Sequence, residues 1–274
     1  ERRLSPAKIV KITDSRLDSV RAGLEIYTSL EGENPGGSIK DWMAEGELRT
    51  LVGTGDLRPG DTIAEISAGS TALSLAYYAR QLDLKCLLFV PDNLDQSKRA
   101  KLESLGAVLK LVETKTAFAE YAAFISSTGI RKFDQFGNAN LRRHYSKLTS
   151  ASSLSFDVVI GTVGTGLSLL GIGDGVSGSP TLVSTEPDRI AAIPGIRNVR
   201  LEHFGASDPC NVSRLTRVEV STKDHFPAGH LETDSGPIEI TDTFRVVLGG
   251  LEIWSGARAA KRVFAVGAAN RRAA

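Results

Sequence analysis

Between residues 62 and 126, short apolar runs alternate three times with segments long enough to be helices, and this alternation limits the possible folds most. Thr62-Ile63-Ala64-Glu65-Ile66 reads as a strand, broken by Ser67-Ala68-Gly69-Ser70 and followed by a helix from Thr71 to Leu82. Lys85 to Val90 is a second strand, ended by Pro91-Asp92-Asn93, and the helix from Ser97 to Leu105 after it stops at Gly106. Val108 to Val112 and Ala117 to Ser126 supply the third pair. Strands that are apolar on both faces must be covered on both faces. Helices between them act as crossovers, so the pattern predicts βαβ units in a parallel sheet. A second set opens at Asp157-Val158-Val159-Ile160, runs into a glycine-rich turn, and continues with a strand from Leu182 to Thr185 closed by Glu186-Pro187. Thr243 to Gly250 reads as a further strand and Ser255 to Ala268 as a closing helix. Residues 197–237 show no clear period, and the serine-rich stretch Ser146 to Ser155 is the candidate domain junction. The expected fold class is therefore α/β, with open, mostly parallel sheets and helices on both faces.

Composition narrows the function by exclusion. A length of 274 residues suits one large domain or two small ones. The formal net charge of +1 gives no electrostatic footprint for nucleic acid or an anionic membrane surface. No apolar run approaches the ~20 residues needed to span a bilayer, and residues 1–20 lack the apolar core of a signal peptide. Cys86 and Cys210 do not make a disulfide framework, and Cys86, inside Cys86-Leu87-Leu88-Phe89-Val90, reads as a buried structural thiol. A cytoplasmic location follows by default. His225, His230 and Glu232 are read as satisfied or solvated side chains, so no metal is expected.

Three small-residue turns sit where chemistry is usually placed. In Asn34-Pro35-Gly36-Gly37-Ser38-Ile39-Lys40-Asp41 a lysine follows a tight glycine turn and leads into a helix from about Trp42 to Val52. Ser67-Ala68-Gly69-Ser70-Thr71 joins a strand to a helix, where backbone N–H groups favour a carboxylate or phosphate or are simply capped by the hydroxyls. Gly164-Thr165-Gly166-Leu167-Ser168 repeats that arrangement after the strand at Asp157. It is neither a Walker A loop nor a dinucleotide fingerprint, because it lacks the lysine of the first and the glycine spacing of the second.

Taken in order, these pieces resemble the fold type II pyridoxal 5′-phosphate (PLP) enzymes, in particular the cysteine synthase and cystathionine β-synthase group. Asn34 to Asp41 resembles the family's Asn-Pro-x-Gly-Ser-Val-Lys-Asp motif, and Ser67 to Ala72 its Thr-Ser-Gly-Asn-Thr-Gly loop. Lys85 to Gly106 is similar to the family's strand, Pro and x-Lys-x-x-x-Leu-x-x-Leu-Gly-Ala helix, and Asp134-Gln135-Phe136 with Asn138, Asn140 and His144-Tyr145 to the Gln-Phe-x-Asn-Pro-Ala-Asn…His-Tyr segment. Asp157 to Gly173 resembles the strand and Gly-Thr-Gly-Gly-Thr phosphate cup, and Glu186-Pro187 the Val-Glu-Pro strand end. The resemblance runs over about residues 20–196.

It implies that Lys40 carries PLP as a Schiff base and then serves as general base. The phosphate would lie on Gly164, Thr165, Gly166, Leu167 and Ser168, and the substrate carboxylate on Ser67, Ala68, Gly69, Thr71 and Gln135. Ser70 stands where the family has the asparagine that bonds the pyridine hydroxyl. Leu167 breaks the second glycine pair, and Trp254 stands where a serine faces the pyridine nitrogen, with Ser255 as its re-registered substitute. The implied domains are residues 37–150 and residues 1–36 with 151–274, with the cofactor in the cleft between them and a homodimeric assembly. The implied reaction is β-replacement on O-acetylserine or O-phosphoserine by a sulfur nucleophile. β-Elimination, replacement by an amine nucleophile or racemisation on the same scaffold stay open. So does a catalytically weak paralogue with a binding or regulatory role.

Overall fold

The computed structural model describes residues 3–187, 215–220, 224–254, 260–267 and 269–271. The chain divides into two compact units, one of Glu1–Leu4 with Pro35–Leu141 and one of Ser5–Asn34 with Arg142–Ala274. The first elements belong to the second unit: β1 (Ile9–Ile12), a single helical turn α1 (Asp18–Arg21) and β2 (Glu25–Ser29).

The first unit is then built without interruption: α2 (Lys40–Gly53), β3 (Thr62–Ile66), α3 (Ser70–Gln81), β4 (Lys85–Pro91), α4 (Gln96–Ser104), β5 (Ala107–Val112), α5 (Ala117–Thr128) and β6 (Arg131–Lys132). Its sheet has the order β5-β4-β3-β6 with every pair parallel. The expected βαβ alternation is present, for the expected reason. Ile63, Ala64, Leu88, Phe89 and Val90 are all buried, so both faces of the two central strands need cover. Asp95 starts α4 by accepting the N–H groups of Ser97 and Lys98. Ala64, Ile66, Phe89, Val112, Ala117 and Tyr121 form one packed cluster between the sheet and α5.

The second unit resumes with α6 (Arg143–Ser150), β7 (Val158–Thr162), α7 (Leu167–Gly175), β8 (Thr181–Pro187), β9 (Thr216–Val220), β10 (His230–Leu231), β11 (Ile238–Ile240), α8 (Asp242–Ile253), β12 (Arg262–Val266) and β13 (Ala269–Arg271). Among the described residues its main sheet has the order β1-β2-β12-β7-β8-β9, antiparallel only at β1–β2. A small antiparallel sheet, β10-β11-β13, lies beside it in the chain's later part. The core gathers Ile26, Ile160, Val183, Phe244, Val247, Leu251 and Val263.

Two expectations fail in this unit. Thr243 to Gly250, read as a strand, belongs to helix α8. Phe244, Val247, Leu248 and Leu251 recur at helical spacing and are wholly buried, and the Thr241 hydroxyl accepts the Phe244 N–H at the helix start. The Gly249-Gly250 pair permits close packing of the helix. A Cβ on Gly249 would lie 2.1 Å from the Asp224 carbonyl oxygen, and one on Gly250 2.3 Å from Thr185 Cγ2. Ser255 to Ala268, read as a closing helix, holds strand β12, which pairs in parallel with both β2 and β7. Val263 to Val266 are buried in succession, the pattern of a central strand, while the Ala- and Arg-rich composition that suggested a helix lies ahead of them. The serine-rich stretch from Ser146 opens inside helix α6, and the chain passes from one unit to the other at Leu141 and Arg142.

Candidate active site

Lys40 is the first residue of α2, and the turn before it is fixed to its own unit by Asp41. Asp41 is fully buried and accepts three hydrogen bonds: the Gly36 N–H at 2.6 Å, the Ser74 hydroxyl at 2.5 Å and the Tyr78 hydroxyl at 3.4 Å. Burial pushes its carboxyl above the usual carboxylate range, against the pull of these donors. Ser74 and Tyr78 lie on α3, so the lysine turn is tied to the helix that follows the Ser67–Ser70 loop. Gly36 is required by the close approach, because a Cβ there would lie 2.3 Å from Asp41 Oδ1 and 3.0 Å from Ser74 Cα. Gly37 is required by its backbone, at φ +82°. The Lys40 N–H donates to the buried Ser38 hydroxyl at 3.2 Å.

The Lys40 side chain is half-buried, and the loss of hydration around its amine lowers the pKa from 10.5 to about 8. A lysine in that state is neutral often enough near pH 8 to act as a nucleophile or a base.

The expected carboxylate residues meet within the same unit. Thr71, in the first turn of α3, donates its hydroxyl to Gln135 Oε1 at 2.9 Å, and both side chains are buried. With its carbonyl taken by Thr71, the Gln135 amide presents Nε2 as its donor, 3.5 Å from the Ile66 carbonyl oxygen. Ser67 and Ala68 are half-buried, while Gly69 and Ser70 are exposed at the start of α3.

One residue of this cluster was missed in the sequence. Glu65, in β3, is wholly buried and accepts the Ile66 N–H at 2.7 Å and the Gln135 N–H at 2.9 Å. Burial raises its carboxyl to about 7. The signal for it was a charged residue in the middle of a strand that must be covered on both faces. Asp41 was also legible as a charge one residue past the lysine, but its Gly36, Ser74 and Tyr78 partners were not.

In the second unit, Gly164 to Ser168 form the turn into α7. Gly166 occupies the N-cap position at φ +83° and has no side chain to close the helix start. The Leu167 N–H lies 3.5 Å from Thr165 Oγ1, and the Leu167 side chain is buried, so this residue can offer a ligand only its backbone. A bare helix start of this kind favours an anion. Trp254 closes α8 and packs against the core of the unit. Ser255 lies outside the described residues. Cys86 is a free, buried thiol held near 12 by desolvation, His230 Nε2 lies 3.3 Å from Glu232 Oε1, and no described helix is long and apolar enough to cross a membrane.

Mostly parallel α/β sheets, a desolvated lysine at a helix start in one unit and a helix start suited to an anion in the other are the features of a cofactor-dependent class of protein, and the residues fit PLP. The amine can be neutral, as a Schiff base needs, and the α7 start suits a phosphate. The profile of the family described as pyridoxal-phosphate-dependent enzyme matches residues 11–236. The chain belongs to this family.

Among curated proteins it is similar to cysteine synthase B of Salmonella typhimurium, 32% identical over 194 residues, and of Escherichia coli, 31% over 194 residues. Either match covers 66% of this chain and 64% of the relative, so the chain spans just under two thirds of the length of these enzymes. It is also similar to the O-acetylserine dependent cystathionine beta-synthase of Bacillus subtilis, 39% identical over 88 residues, covering 32% of this chain and 29% of the relative. Among solved structures it shares the fold of an O-ureido-L-serine synthase, with a TM-score of 0.73, 18% identity and coverage of 96% of this chain and 89% of that one. It shares it too with the O-acetylserine dependent cystathionine beta-synthase of Helicobacter pylori, with a TM-score of 0.71, 18% identity and coverage of 96% and 91%.

Proposed function

We propose that the chain catalyses β-replacement on an O-activated serine with a sulfur nucleophile. Lys40 would hold PLP, the backbone N–H groups of Gly164 to Ser168 its phosphate, and the Ser67–Thr71 turn with Gln135 the substrate carboxylate. The observation that carries the reading is the Thr71–Gln135 pair. Residues 64 positions apart are brought to one helix start, and of the two Nε2 hydrogens one faces the Ile66 carbonyl oxygen and the second would meet a carboxylate. The names of the relatives, cysteine synthase B and O-acetylserine dependent cystathionine beta-synthase, support the substrate class and the sulfur nucleophile.

Each residue then has a task. The Lys40 amine, lowered to about 8, is neutral for a useful fraction of the time near neutrality and takes the α-proton on Nζ. Asp41 holds the turn that aims it. The carboxylate, gripped by Gln135 and the start of α3, fixes the α-carbon relative to that amine. When bound, PLP supplies the electron sink that makes the α-proton removable. Ser70 and Ser255 are assigned to the cofactor ring by resemblance.

Thr71→Ala and Gln135→Ala test the assignment. Each should weaken binding of O-acetylserine, followed by the cofactor's visible spectrum, by about the 0.5–1.5 kcal/mol of one hydrogen bond, with PLP content unchanged. If both titrate like the wild type, the carboxylate binds elsewhere. Sulfide against an amine as co-substrate in the same assay decides the class of nucleophile. The resemblance also carries a homodimeric assembly, which light scattering on the purified protein would check.

A further inference from the structure

Glu65 is a carboxyl group that β3 does not need for packing. Its neighbours across the parallel register are apolar, with Ile63 opposite Cys86 and Glu65 itself opposite Leu88. It nonetheless stays in the strand and spends both oxygens on backbone donors, Oε1 on Ile66 N–H at 2.7 Å and Oε2 on Gln135 N–H at 2.9 Å. The second bond spans 70 residues and joins the end of β3 to the loop that follows β6. That loop is held in an uncommon shape, since Asp134, immediately before Gln135, has φ +68°. Phe133 N–H donates to the Ala64 carbonyl oxygen at 2.9 Å, one residue before the glutamate, so the two segments run side by side up to Gln135. Beyond Glu65 the same β3 leads into the Ser67–Ser70 loop and Thr71, whose hydroxyl meets the Gln135 side chain. One glutamate thus fixes the backbone of Gln135 while Thr71 fixes its amide.

We infer that Glu65 is a positioning residue of the substrate-carboxylate site, holding Gln135 so that its amide donor faces the incoming carboxylate. The inference rests on the reading of Thr71 and Gln135 as that site.

The electrostatics agree with such a role. The titratable groups that act on Glu65 are Cys86 on β4, Tyr121 on α5 and Asp134 before Gln135. Burial pushes the thiol and the phenol upward, away from neutrality, and Asp134 is paired with Lys132 at 2.9 Å. No described cation is paired with Glu65, so only N–H dipoles compensate its charge. Burying an ion on that basis costs stability. A residue kept for packing alone would be replaced by a neutral one without loss, whereas a residue kept to hold Gln135 would not.

Glu65→Gln separates these cases. The amide keeps the shape but turns an NH₂ toward one of the two backbone donors, so one N–H loses its acceptor. In the PLP-loaded protein at pH 8 the affinity for L-serine, read from the cofactor's visible spectrum, should fall on the order of tenfold. PLP content should be unchanged and the melting temperature no lower than that of the wild type. Wild-type affinity in Glu65→Gln, while Gln135→Ala binds more weakly, overturns the inference and leaves the carboxylate site standing. Affinity and melting temperature falling together also overturn it, since that is the mark of a purely structural residue. If Gln135→Ala and Thr71→Ala bind L-serine normally, the carboxylate reading fails and takes this inference with it. Should Glu65→Gln not fold, the Gln135 amide resonance of the wild type gives the answer. It should shift with pH around neutrality, and a flat response from pH 6 to 8 refutes the contact.

Discussion

Gly36→Ala should destabilise the first unit far more than Gly37→Ala, although the two glycines are neighbours in one turn. The added methyl at position 36 would lie 2.3 Å from Asp41 Oδ1 and 3.0 Å from Ser74 Cα, and neither can step aside. Asp41 is fixed from below by the Ser74 and Tyr78 hydroxyls, and Ser74 Cα is backbone within α3. Overpacking of this kind costs about 1–3 kcal/mol. Relieving it by moving Asp41 would break buried hydrogen bonds to a carboxyl group, each contributing roughly 1–3 kcal/mol. A total of about 3 kcal/mol is therefore expected. At position 37 no atom lies within 4 Å of the new methyl, so only the φ of +82° resists, at about 1–2 kcal/mol. Thermal melts at neutral pH should show a loss of roughly 6–12 °C for Gly36→Ala, against about 2–4 °C for each kcal/mol at position 37. Equal losses, or a larger one at Gly37, would mean that the Asp41 clamp does not hold the lysine turn.

Four further outcomes are expected. Lys40→Ala should leave no phosphopyridoxyl label after borohydride reduction and peptide mapping, and a label on another lysine would refute the assignment. In the wild type the rate of PLP uptake should rise with pH about a midpoint near 8, because only the neutral amine reacts; a midpoint near 10.5 would place Lys40 in open water. Gly166→Val puts a β-branched residue at φ +83° and should lower PLP retention on dialysis by tenfold or more, and full retention would move the phosphate site elsewhere. Glu65 is raised to about 7 in the folded chain, so between pH 4.5 and 7 the folded state holds a proton that the unfolded state has lost. Stability should therefore fall as pH rises through that window, by on the order of 3 kcal/mol. Denaturant titrations of wild type against Glu65→Gln isolate this slope, which should be absent in the variant.

The first unit was legible because its strands and helices differ in both period and punctuation. Asp92-Asn93 after β4, Gly106 after α4 and the unbroken apolar run of β4 each carry their own local signal. The second unit misled where two local signals conflicted. In α8 the paired valines favour a strand locally, and only the burial of Phe244, Val247, Leu248 and Leu251 on one face decides for a helix. β12 is a strand because β2 and β7 flank it, a condition set by residues more than 100 positions away. The short strands β1 and β2 were invisible for the same reason. Within the candidate site, Lys40, Thr71 and Gln135 were legible as motif residues. Glu65 and the partners of Asp41 were not, because their significance comes from hydrogen bonds that no spacing rule encodes.

Apart from Glu1–Leu4, the first unit is a single insertion between two parts of the second, and this sets an order in time. Strand β2 pairs on one edge with β1, made just before it, but its other neighbour is β12, and 237 residues separate Glu25 from the Arg262 that bonds it at 2.6 Å. At synthesis rates of roughly 5–20 residues per second, β2 waits on the order of 10–50 s with that edge unpaired. The whole of Pro35–Leu141 is made during that wait, so the segment that carries Lys40 has emerged before the sheet that leads into the Gly164–Ser168 turn can close. A nascent chain halted ahead of residue 262 would leave the β12-facing edges of both β2 and β7 bare, the feature that chaperones and aggregation both seize upon.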